Sequence, residues 1–361
     1  DDSLFFWRIV LSITGDPNQH LNTYHLSKSK RYDLVLNGEV YNHGDLNKKY
    51  LKKEGISSST DSDTETLVNL HQLLKPIDIF KKLRGMFAYV VYDNILESLI
   101  IGRDIIGEKI LYYYEDDRFL ILSSEIGPIL ELVPSIGINK EILKEYFFTR
   151  HLLTPSNTTF EKVKLIPPGH LMSYKLRSGK FEILTKIKPG DLIDPDLIDE
   201  NKSKSSDSLV QELEEVFKNT AKLLAPSIDY YSVFSGGVDS SLISFFMQEY
   251  KPPKGFISLQ FPGKDKTNTQ MKGFEEKLGR NIDTIKVNED IFSDFFPQCY
   301  KVACAPLSTH SFISQAIMSK YIKEKEIKVL IGGDGADELF GGYEFYKTLN
   351  DKYSSFPKVN P

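Results

Sequence analysis

From residue 208 onward, strand-like and helix-like segments alternate, and this alternation restricts the second half of the chain to one class of fold. Helical patterns occupy 208–224, a stretch from 240, 268–278 and 312–325, and short apolar runs lie at 230–234, 255–261 and 328–331. Strands that alternate with helices form a parallel sheet with helices on its faces. Ligands of such sheets bind at the carboxyl ends of the strands, so we expect a site there.

The first half of the chain has a different pattern, in which short strand-like runs are joined by turns. These runs are RYDLVLNG, RGMFAYVVYD, SLIIGRD, KILYYYEDD and RFLILSSE, with a helical stretch at 62–74. Turns rich in Gly, Asp and Asn are typical of hairpins, which predicts an α+β domain of antiparallel strands. Pro, Asp, Ser and Lys dominate 188–207. We therefore predict domains at 1–190 and 208–361, joined by a linker at 191–207.

Composition excludes several classes of protein. A chain of 361 residues, 40% hydrophobic and 26% charged, is long enough for two domains with cores of their own. The net charge of -5 and the absence of a clustered basic surplus argue against a nucleic-acid binder. No uninterrupted apolar span and no signal-peptide pattern is found, which predicts a cytoplasmic protein without a membrane partner. The two cysteines, Cys299 and Cys304, predict neither a disulfide framework nor a zinc site.

The segment SGGVDSS lies where the strand at 230–234 ends and a helix begins. A helix N-terminus offers free N–H groups to an anion, and Gly236 and Gly237 let the backbone wrap around a phosphate. Further donors are the hydroxyl groups of Ser235, Ser240 and Ser241. A carboxylate at Asp239 would repel a phosphate unless a bridging Mg²⁺ made it a ligand. The alternative is a glycine turn capped by serine, and the pattern is not a Walker A loop because no Gly-Lys-Ser/Thr follows.

A second acidic and glycine-rich segment, GGDGADELFGGY, follows the last predicted strand. Its spacing does not fit an EF-hand loop. Two carboxylates on loops at neighbouring strand ends can instead share one metal ion, which makes Asp239 and Asp337 candidate Mg²⁺ ligands around a pyrophosphate.

These two segments resemble a known family. SGGVDSS is similar to the pyrophosphate loop of ATP pyrophosphatases that adenylate their substrates. GDGADELFGGY, which follows it along the chain, resembles glutamine-dependent asparagine synthetases in particular. LVLNGEVYNHGDL, TDSDTETLV, LRGMFAYVVYD, IGRDIIGEKILYYY and LSSEIGPIL resemble the class II glutamine amidotransferase domain of those enzymes. The resemblance implies an N-terminal Ntn-type αββα sandwich followed by an α/β parallel-sheet ATP-pyrophosphatase domain, related to the adenine nucleotide alpha-hydrolases and truncated at its C-terminus.

In the first domain the resemblance assigns roles to four residues. It implies that Asn37 and Gly38 donate hydrogen bonds to the oxyanion formed from the glutamine amide. It also implies that Glu39 and Asp63 hold the α-amino group of glutamine. The alternatives are that Asn37 and Gly38 form only a hairpin turn and that Asp63 is only a helix N-cap.

In the second domain the resemblance assigns the nucleotide site and its metal. The implied ATP and pyrophosphate contacts are Val233, Ser235, Gly236, Gly237, Asp239, Ser240, Ser241, Leu259, Gly332 and Gly333. Mg²⁺ would be held by Asp239 and Asp337. Asp334 occupies an acidic position that the resemblance links to the handling of the adenylated intermediate.

In the first domain the sequence departs from the family at two points. The family's glutaminase nucleophile is an N-terminal cysteine whose α-amino group serves as base, and Asp1 is not that residue. The family's glutamine-gripping arginine before a Leu-Ser-Ile run is replaced by Val10, with Arg8 two residues earlier. A start without Met, together with an end at Pro361 soon after a central segment, predicts a piece of a longer protein. Otherwise the glutaminase is degenerate.

The implied function is ATP-dependent amidation of a carboxylate through an acyl-adenylate, with release of AMP and pyrophosphate. Aspartate is the implied acceptor, and glutamine or ammonia the nitrogen donor. In CAPLSTHSFISQ the expected acidic features are replaced, so another carboxylate, such as one on a surface-sugar precursor, remains open as acceptor. A pseudoenzyme or regulatory ATP-binding protein is the alternative from another class. The expected partners are these small molecules, and a homodimer remains open.

Overall fold

The fold was taken from a computed structural model that describes residues 4–5, 25–27, 29–262, 266–307, 309, 311–344 and 346. The chain divides into two compact units. The first comprises Asp1–Glu212 and Ser293–Ala316, and the second comprises Leu213–Phe292 and Ile317–Pro361. Compactness does not by itself define a domain, so the limits at 1–190, 191–207 and 208–361 remain predictions.

The first unit is built mainly from antiparallel strands. Its described strands are β1 (His25–Leu26), β2 (Tyr32–Val40), β3 (Gly85–Asp93), β4 (Ser98–Arg103), β5 (Tyr112–Glu115), β6 (Leu120–Ser123), β7 (Val163–Leu165), β8 (His170–Lys175) and β9 (Lys180–Lys186). Its described helices are α1 (His43–Leu46), α2 (Asp63–Leu70), α3 (Pro76–Phe80), α4 (Ile126–Leu132), α5 (Lys140–Thr149) and α6 (Pro195–Lys202). A π-helical turn at Asn47–Leu51 and 3₁₀ turns at Lys52–Glu54 and Pro189–Leu192 complete it.

These strands form two sheets. One has six strands in the order β1-β2-β3-β4-β8-β9, and the other has three in the order β6-β5-β7. All of their pairings are antiparallel. In β3 the side chains alternate between two cores, because successive residues of a strand point to opposite faces of its sheet. Phe87 and Tyr89 pack into one core, and Ala88 and Val90 into the other.

Three buried clusters give the first unit four layers. One face of the six-stranded sheet packs against α2 and α3 through residues such as Leu67 and Phe80. Its other face meets the three-stranded sheet at Tyr113 and Leu122. The far face of the smaller sheet packs against α4, where Ile129 is fully buried. This order of helix, sheet, sheet and helix confirms the predicted Ntn-type αββα sandwich.

The second unit contains a parallel sheet. The elements that follow α6 along the chain are α7 (Ser206–Leu224), β10 (Tyr230–Val233), α8 (Val238–Tyr250), β11 (Gly255–Gln260), α9 (Lys266–Leu278), β12 (Ile282–Lys286), α10 (Glu289–Ala303), α11 (Ser311–Glu324), β13 (Val329–Ile331) and α12 (Ala336–Phe340). The strand order is β12-β11-β10-β13, and every pairing is parallel. Among the described residues, no helix has the length and apolar character needed to cross a membrane.

Helices cover both faces of this sheet. On one face, Tyr230 packs with Ala221 of α7 and Phe246 of α8. On the other face, Tyr231 and Ile257 pack with Ile322 of α11. The predicted alternation and parallel sheet are therefore confirmed, and the strand order makes the carboxyl ends of β10 and β13 neighbours.

Candidate functional site

The SGGVDSS segment forms a tight connection between β10 and α8. The strand ends at Val233, and the amide of Phe234 donates to the carbonyl of Ile257 at 2.8 Å. Gly236 has φ of +81°, a left-handed conformation that glycine adopts readily. Gly237 occupies the N-cap of α8 and no side chain caps the helix. The first N–H groups of α8 are therefore available to an anion, as predicted from the sequence.

Serine hydroxyls brace this loop from within. The Ser240 Oγ accepts from the Ser235 amide at 3.2 Å and lies 3.0 Å from the Ser235 Oγ. The Ser235 Oγ in turn accepts from the Gly237 amide at 3.3 Å, and the Ser241 hydroxyl donates to the Gly237 carbonyl at 2.7 Å. Ser240 is buried, whereas Ser235 is exposed. The hydroxyls thus hold the glycine backbone in its turn.

The second glycine segment comes close to the first turn of α8. Gly332 and Gly333 follow β13, which pairs directly with β10. A Cβ added to Gly333 would lie 3.2 Å from the Asp239 Cβ and 3.3 Å from the Ser240 amide nitrogen. These distances are shorter than ordinary van der Waals contact. The absence of a side chain at Gly333 therefore lets the two predicted phosphate segments meet.

The carboxylates predicted to bind metal lie on these two segments. Asp239 is in the first turn of α8 and Asp337 is in the first turn of α12. A Cβ added to Gly342 would lie 1.9 Å from the Asp337 Oδ1, so a side chain at this position would displace that carboxylate. Among the described residues, no group of three or more His, Cys, Asp and Glu side chains could hold a metal alone. Mg²⁺ commonly takes only one or two carboxylates plus substrate phosphates, so the number of carboxylates predicted here is within its usual range.

The other predicted nucleotide residues lie along the same edge. Val233 and Leu259 are near the carboxyl ends of the neighbouring strands β10 and β11, and both are partly exposed. A Cβ on Gly332 would lie 3.8 Å from the Val233 Cβ and 3.1 Å from the Asp334 Oδ2. Asp334 itself is exposed. The structure thus gathers this predicted group at one end of the parallel sheet.

The predicted oxyanion residues of the first unit lie within a strand, not in a hairpin turn. In β2, Asn37 faces Ala88 and Gly38 faces Phe87 of β3. Gly38 has φ of +121°, and an added Cβ would lie 2.0 Å from the Met86 carbonyl oxygen. Both Asn37 and Gly38 are exposed. The hairpin-turn alternative is therefore wrong, and Gly38 is required by both its conformation and its surroundings.

Glu39 and Asp63 are brought within electrostatic range of each other. The Asp63 Oδ2 accepts from the Val40 amide at 2.9 Å, which ties α2 to the end of β2. Burial raises the pKa of Glu39, the Asp63 charge raises it further, and the Lys109 charge opposes both. Asp63 is the first residue of α2, and the N-cap is Ser62, whose Oγ accepts from the Thr64 amide. The alternative that Asp63 is only the N-cap is wrong.

Sequence reasoning did not find the buried Asp104, which holds the loop after β4. Its Oδ1 accepts from the Gly107 and Glu108 amides at 2.6 and 2.9 Å. Its Oδ2 accepts from the amides of Lys109 and Phe87 at 3.0 and 3.2 Å. A carboxylate directly after a buried strand and followed by glycine was the available signal, in IGRDIIG.

Three residues on which the departures from the family depend fall outside the described part of the chain, as does His310 of the CAPLSTHSFISQ segment. The three are Asp1, Arg8 and Val10. Cys299 is buried in α10 and Cys304 is partly exposed, both as free thiols.

In comparisons with known proteins, each half of the chain matches a family model. A model described as a glutamine amidotransferase domain matches residues 11–183, and one described as asparagine synthase matches residues 212–360. Asparagine synthetase (glutamine-hydrolyzing) 1 of Bacillus subtilis strain 168 is 29% identical over 89% of this chain and 49% of its own length. Asparagine synthetase B (glutamine-hydrolyzing) of Escherichia coli strain K12 is 27% identical over 90% of this chain and 55% of its own length.

The chain spans about half the length of the curated relatives it matches. Among solved structures, the glutamine PRPP amidotransferase of Bacillus subtilis in complex with ADP and GMP covers 75% of this chain and 52% of its own. Its TM-score is 0.32 at 15% sequence identity, a likeness that carries no argument about function.

Proposed function

Because this chain belongs to the family in which a glutamine amidotransferase domain precedes an asparagine synthase domain, we propose that it takes part in ATP-dependent amidation of a carboxylate. The proposed acceptor is aspartate and the product asparagine. Nitrogen would come from glutamine or from free ammonia. The single observation that best supports the proposal is the close approach of Gly333 to the first turn of α8.

In the proposed reaction the acceptor carboxylate attacks the α-phosphorus of ATP. The bond to the bridging oxygen breaks, an acyl-adenylate forms, and pyrophosphate leaves. The α8 N-terminus and the Gly236–Gly237 backbone would bind the departing pyrophosphate, since free N–H groups and the helix dipole favour anions. Ammonia then attacks the acyl carbon, and AMP leaves with the bonding electrons.

Asp239 and Asp337 are the residues proposed to hold Mg²⁺. The ion would neutralise the phosphate oxygens when bound. Asp239 is partly exposed in the first turn of α8, where phosphate oxygens held by the loop could complete the coordination shell.

For the first unit we propose a glutamine site at the end of β2. The exposed Asn37 side chain and the Gly38 amide would donate to the oxygen of the glutamine amide. Glu39 and Asp63 would hold its α-ammonium group. Burial raises the pKa of Glu39 and the Asp63 charge raises it further, and a bound cation would offset both effects.

The test is product analysis with the intact protein, ATP, Mg²⁺ and a panel of carboxylates that includes aspartate. Ammonium and glutamine are supplied in turn. We expect AMP and pyrophosphate in equal amounts with aspartate and ammonium. ADP with inorganic phosphate, or no AMP with any carboxylate, would refute the proposal. AMP with ammonium alone would refute only the glutaminase half.

A pair of variants tests the metal assignment. Asp239→Ala is expected to abolish pyrophosphate release, since it removes a proposed metal ligand at the phosphate loop. Asp229→Ala is the matched control, because the Asp229 side chain is 63% exposed and its contact within the described residues is a surface ion pair with Lys254 at 3.4 Å. Undiminished release by Asp239→Ala, with the control normal, would exclude Asp239 as a ligand.

A further inference from the structure

The geometry points to a positioning role for Ser244, a buried residue of α8, in the loop that would bind pyrophosphate. This inference rests on the function proposed above, because it concerns how that loop is held for its ligand. Ser244 lies outside the set of residues predicted from the sequence. It is the middle member of a hydrogen-bonded series formed by Ser232, Ser244 and Ser240, which we call the serine relay. The relay leads from β10, an inner strand of the parallel sheet, to the first turn of α8.

The relay begins on the face of β10 that packs against α8. Tyr230 of β10 packs with Phe246 of α8, and Ser232 points to the same face because side chains alternate along a strand. The Ser232 Oγ lies 2.8 Å from the Ser244 Oγ. Ser232 is 1% exposed and Ser244 is fully buried. Hydroxyl groups at such depth cost free energy unless they are hydrogen-bonded, and these two bond each other.

The direction of the hydrogen bonds follows from the single hydrogen that each hydroxyl group carries. The Ser244 hydroxyl donates to the Ser240 carbonyl oxygen at 2.7 Å. Because this bond uses its hydrogen, Ser244 is the acceptor and Ser232 the donor in the bond between their hydroxyl groups. Ser244 is therefore bonded on one side to a strand of the sheet and on the other side to the first turn of its own helix.

Ser240 connects the relay to the glycine loop. Its Oγ accepts from the Ser235 amide at 3.2 Å and donates to the Gly237 carbonyl at 3.3 Å. The loop thus holds Ser240 at its hydroxyl, and Ser244 holds it at its carbonyl. The amide of Ser240 is one of the first N–H groups of α8, which have no acceptor within the helix. A contact that fixes Ser240 therefore also fixes the N–H groups proposed to meet the phosphate.

Removing the Ser244 hydroxyl would break the tie between β10 and this turn. In Ser244→Ala the Ser232 hydroxyl loses its acceptor, and the first turn of α8 can shift relative to the strand. Hydrogen bonds from N–H groups to a charged phosphate depend on distance and angle, so we expect weaker binding of the β- and γ-phosphates. AMP has only the α-phosphate, and in this proposal its binding does not depend on the loop.

The experiment measures the binding of magnesium pyrophosphate and, separately, of AMP to the intact protein by calorimetry. The variants are Ser244→Ala, the double variant Ser232→Ala/Ser244→Ala, and Ser319→Ala as control, because Ser319 is an exposed serine of α11. Ser244→Ala is expected to bind pyrophosphate about tenfold more weakly, a change of the size of one hydrogen bond, and AMP like the wild type. Ser319→Ala is expected to bind both ligands like the wild type.

The double variant separates positioning from stability. It leaves no hydroxyl of the pair without its partner, so its thermal unfolding should be close to that of the wild type, while its pyrophosphate affinity stays low. Pyrophosphate binding like the wild type in the double variant, or an equal loss of AMP affinity in Ser244→Ala, would overturn this inference alone. If Ser244→Ala does not fold, the double variant carries both comparisons. Wild-type protein that fails to bind either ligand would overturn the proposed nucleotide site and, with it, the role of Ser244.

Discussion

Substituting Gly333 by alanine perturbs the contact between the two segments proposed to bind phosphate. The new Cβ would lie 3.2 Å from the Asp239 Cβ, 3.3 Å from the Asp239 carbonyl carbon and 3.3 Å from the Ser240 amide nitrogen. None of these atoms can turn away by a rotamer change, because they belong to the first turn of α8. The backbone of one segment must therefore move by a few tenths of an ångström.

The effects on stability and on nucleotide binding should be similar in size. Overpacking by one methyl group costs about 1–3 kcal/mol, and here the site is partly exposed, which favours the lower end. A shift of a few tenths of an ångström weakens the hydrogen bonds from this backbone to phosphate, and the loss of about 1.4 kcal/mol, the size of one such bond, lowers ATP affinity about tenfold.

The assay is titration of Mg²⁺–ATP by calorimetry, with thermal unfolding measured in parallel. Gly273→Ala is the matched control, because Gly273 is an exposed residue of α9 with no atom within 4 Å of an added Cβ. The control should bind ATP normally and gain about 0.5–1 kcal/mol of stability from the helix preference of alanine. A folded Gly333→Ala protein that binds ATP like the wild type would refute the reasoning.

Three further predictions concern the first unit. Gly38→Ala should prevent folding or lower the free energy of unfolding by more than about 3 kcal/mol, because the Cβ would lie 2.0 Å from the Met86 carbonyl oxygen at a φ of +121°. Soluble, wild-type-like protein in denaturant titrations would contradict this. Glu65→Gln should cost about 1–3 kcal/mol, because the carboxylate accepts four hydrogen bonds from Ser59 and Thr60. Although burial favours its protonated form, these bonds lower the pKa of Glu65, so its contribution is present above the unfolded pKa and lost as pH falls through the lower folded pKa. An unchanged acid-unfolding curve in Glu65→Gln would contradict that assignment. Burial lowers the pKa of His71 to about 4 from 6.5, with Asp93 opposing, so the unfolded chain binds the extra proton and stability should fall by about 3 kcal/mol from pH 6.5 to 4. His71→Phe should flatten the curve in that window, and an equal slope in both proteins would show that His71 is not its source.

The connection between β10 and α8 could be predicted from the sequence because its determinants are local. Glycines, serines and an aspartate between an apolar run and a helical pattern indicate a strand-to-helix connection, and β10 and α8 meet there. The predicted helix start at Ser240 was two residues late, since α8 begins at Val238. The N-cap is a glycine without a side-chain hydrogen bond, so the usual capping signal is missing.

The features that the sequence did not predict depend on contacts between residues that are far apart in the chain. Asp104 accepts from Phe87, 17 residues earlier in the chain, and no local pattern encodes that bond. The Tyr146 hydroxyl donates to the Leu307 carbonyl at 2.9 Å, which joins α5 to a segment 161 residues away. The need for glycine at position 333 likewise comes from a contact with α8, far along the chain. Such contacts follow from the strand order, which periodicity does not specify.

At one place a local sequence pattern favoured a structure that the chain does not adopt. An Asn-Gly pair between apolar residues is a strong hairpin signal, which made a turn at Asn37 and Gly38 a reasonable alternative. In the structure both residues continue β2 and pair with Ala88 and Phe87. Gly38 adopts its positive φ inside the strand. The Met86 carbonyl oxygen lies too close to leave room for a Cβ there.

The most direct test of the central claim is a crystal structure of the protein with Mg²⁺ and an ATP analogue whose α–β bridge is a methylene group. The account predicts the β- and γ-phosphates against the backbone of Ser235–Ser241, with the metal ion on Asp239 and Asp337. It also predicts the nucleoside beside Val233, Leu259 and Gly332. A triphosphate bound elsewhere, or a metal ion that contacts neither aspartate, would contradict it.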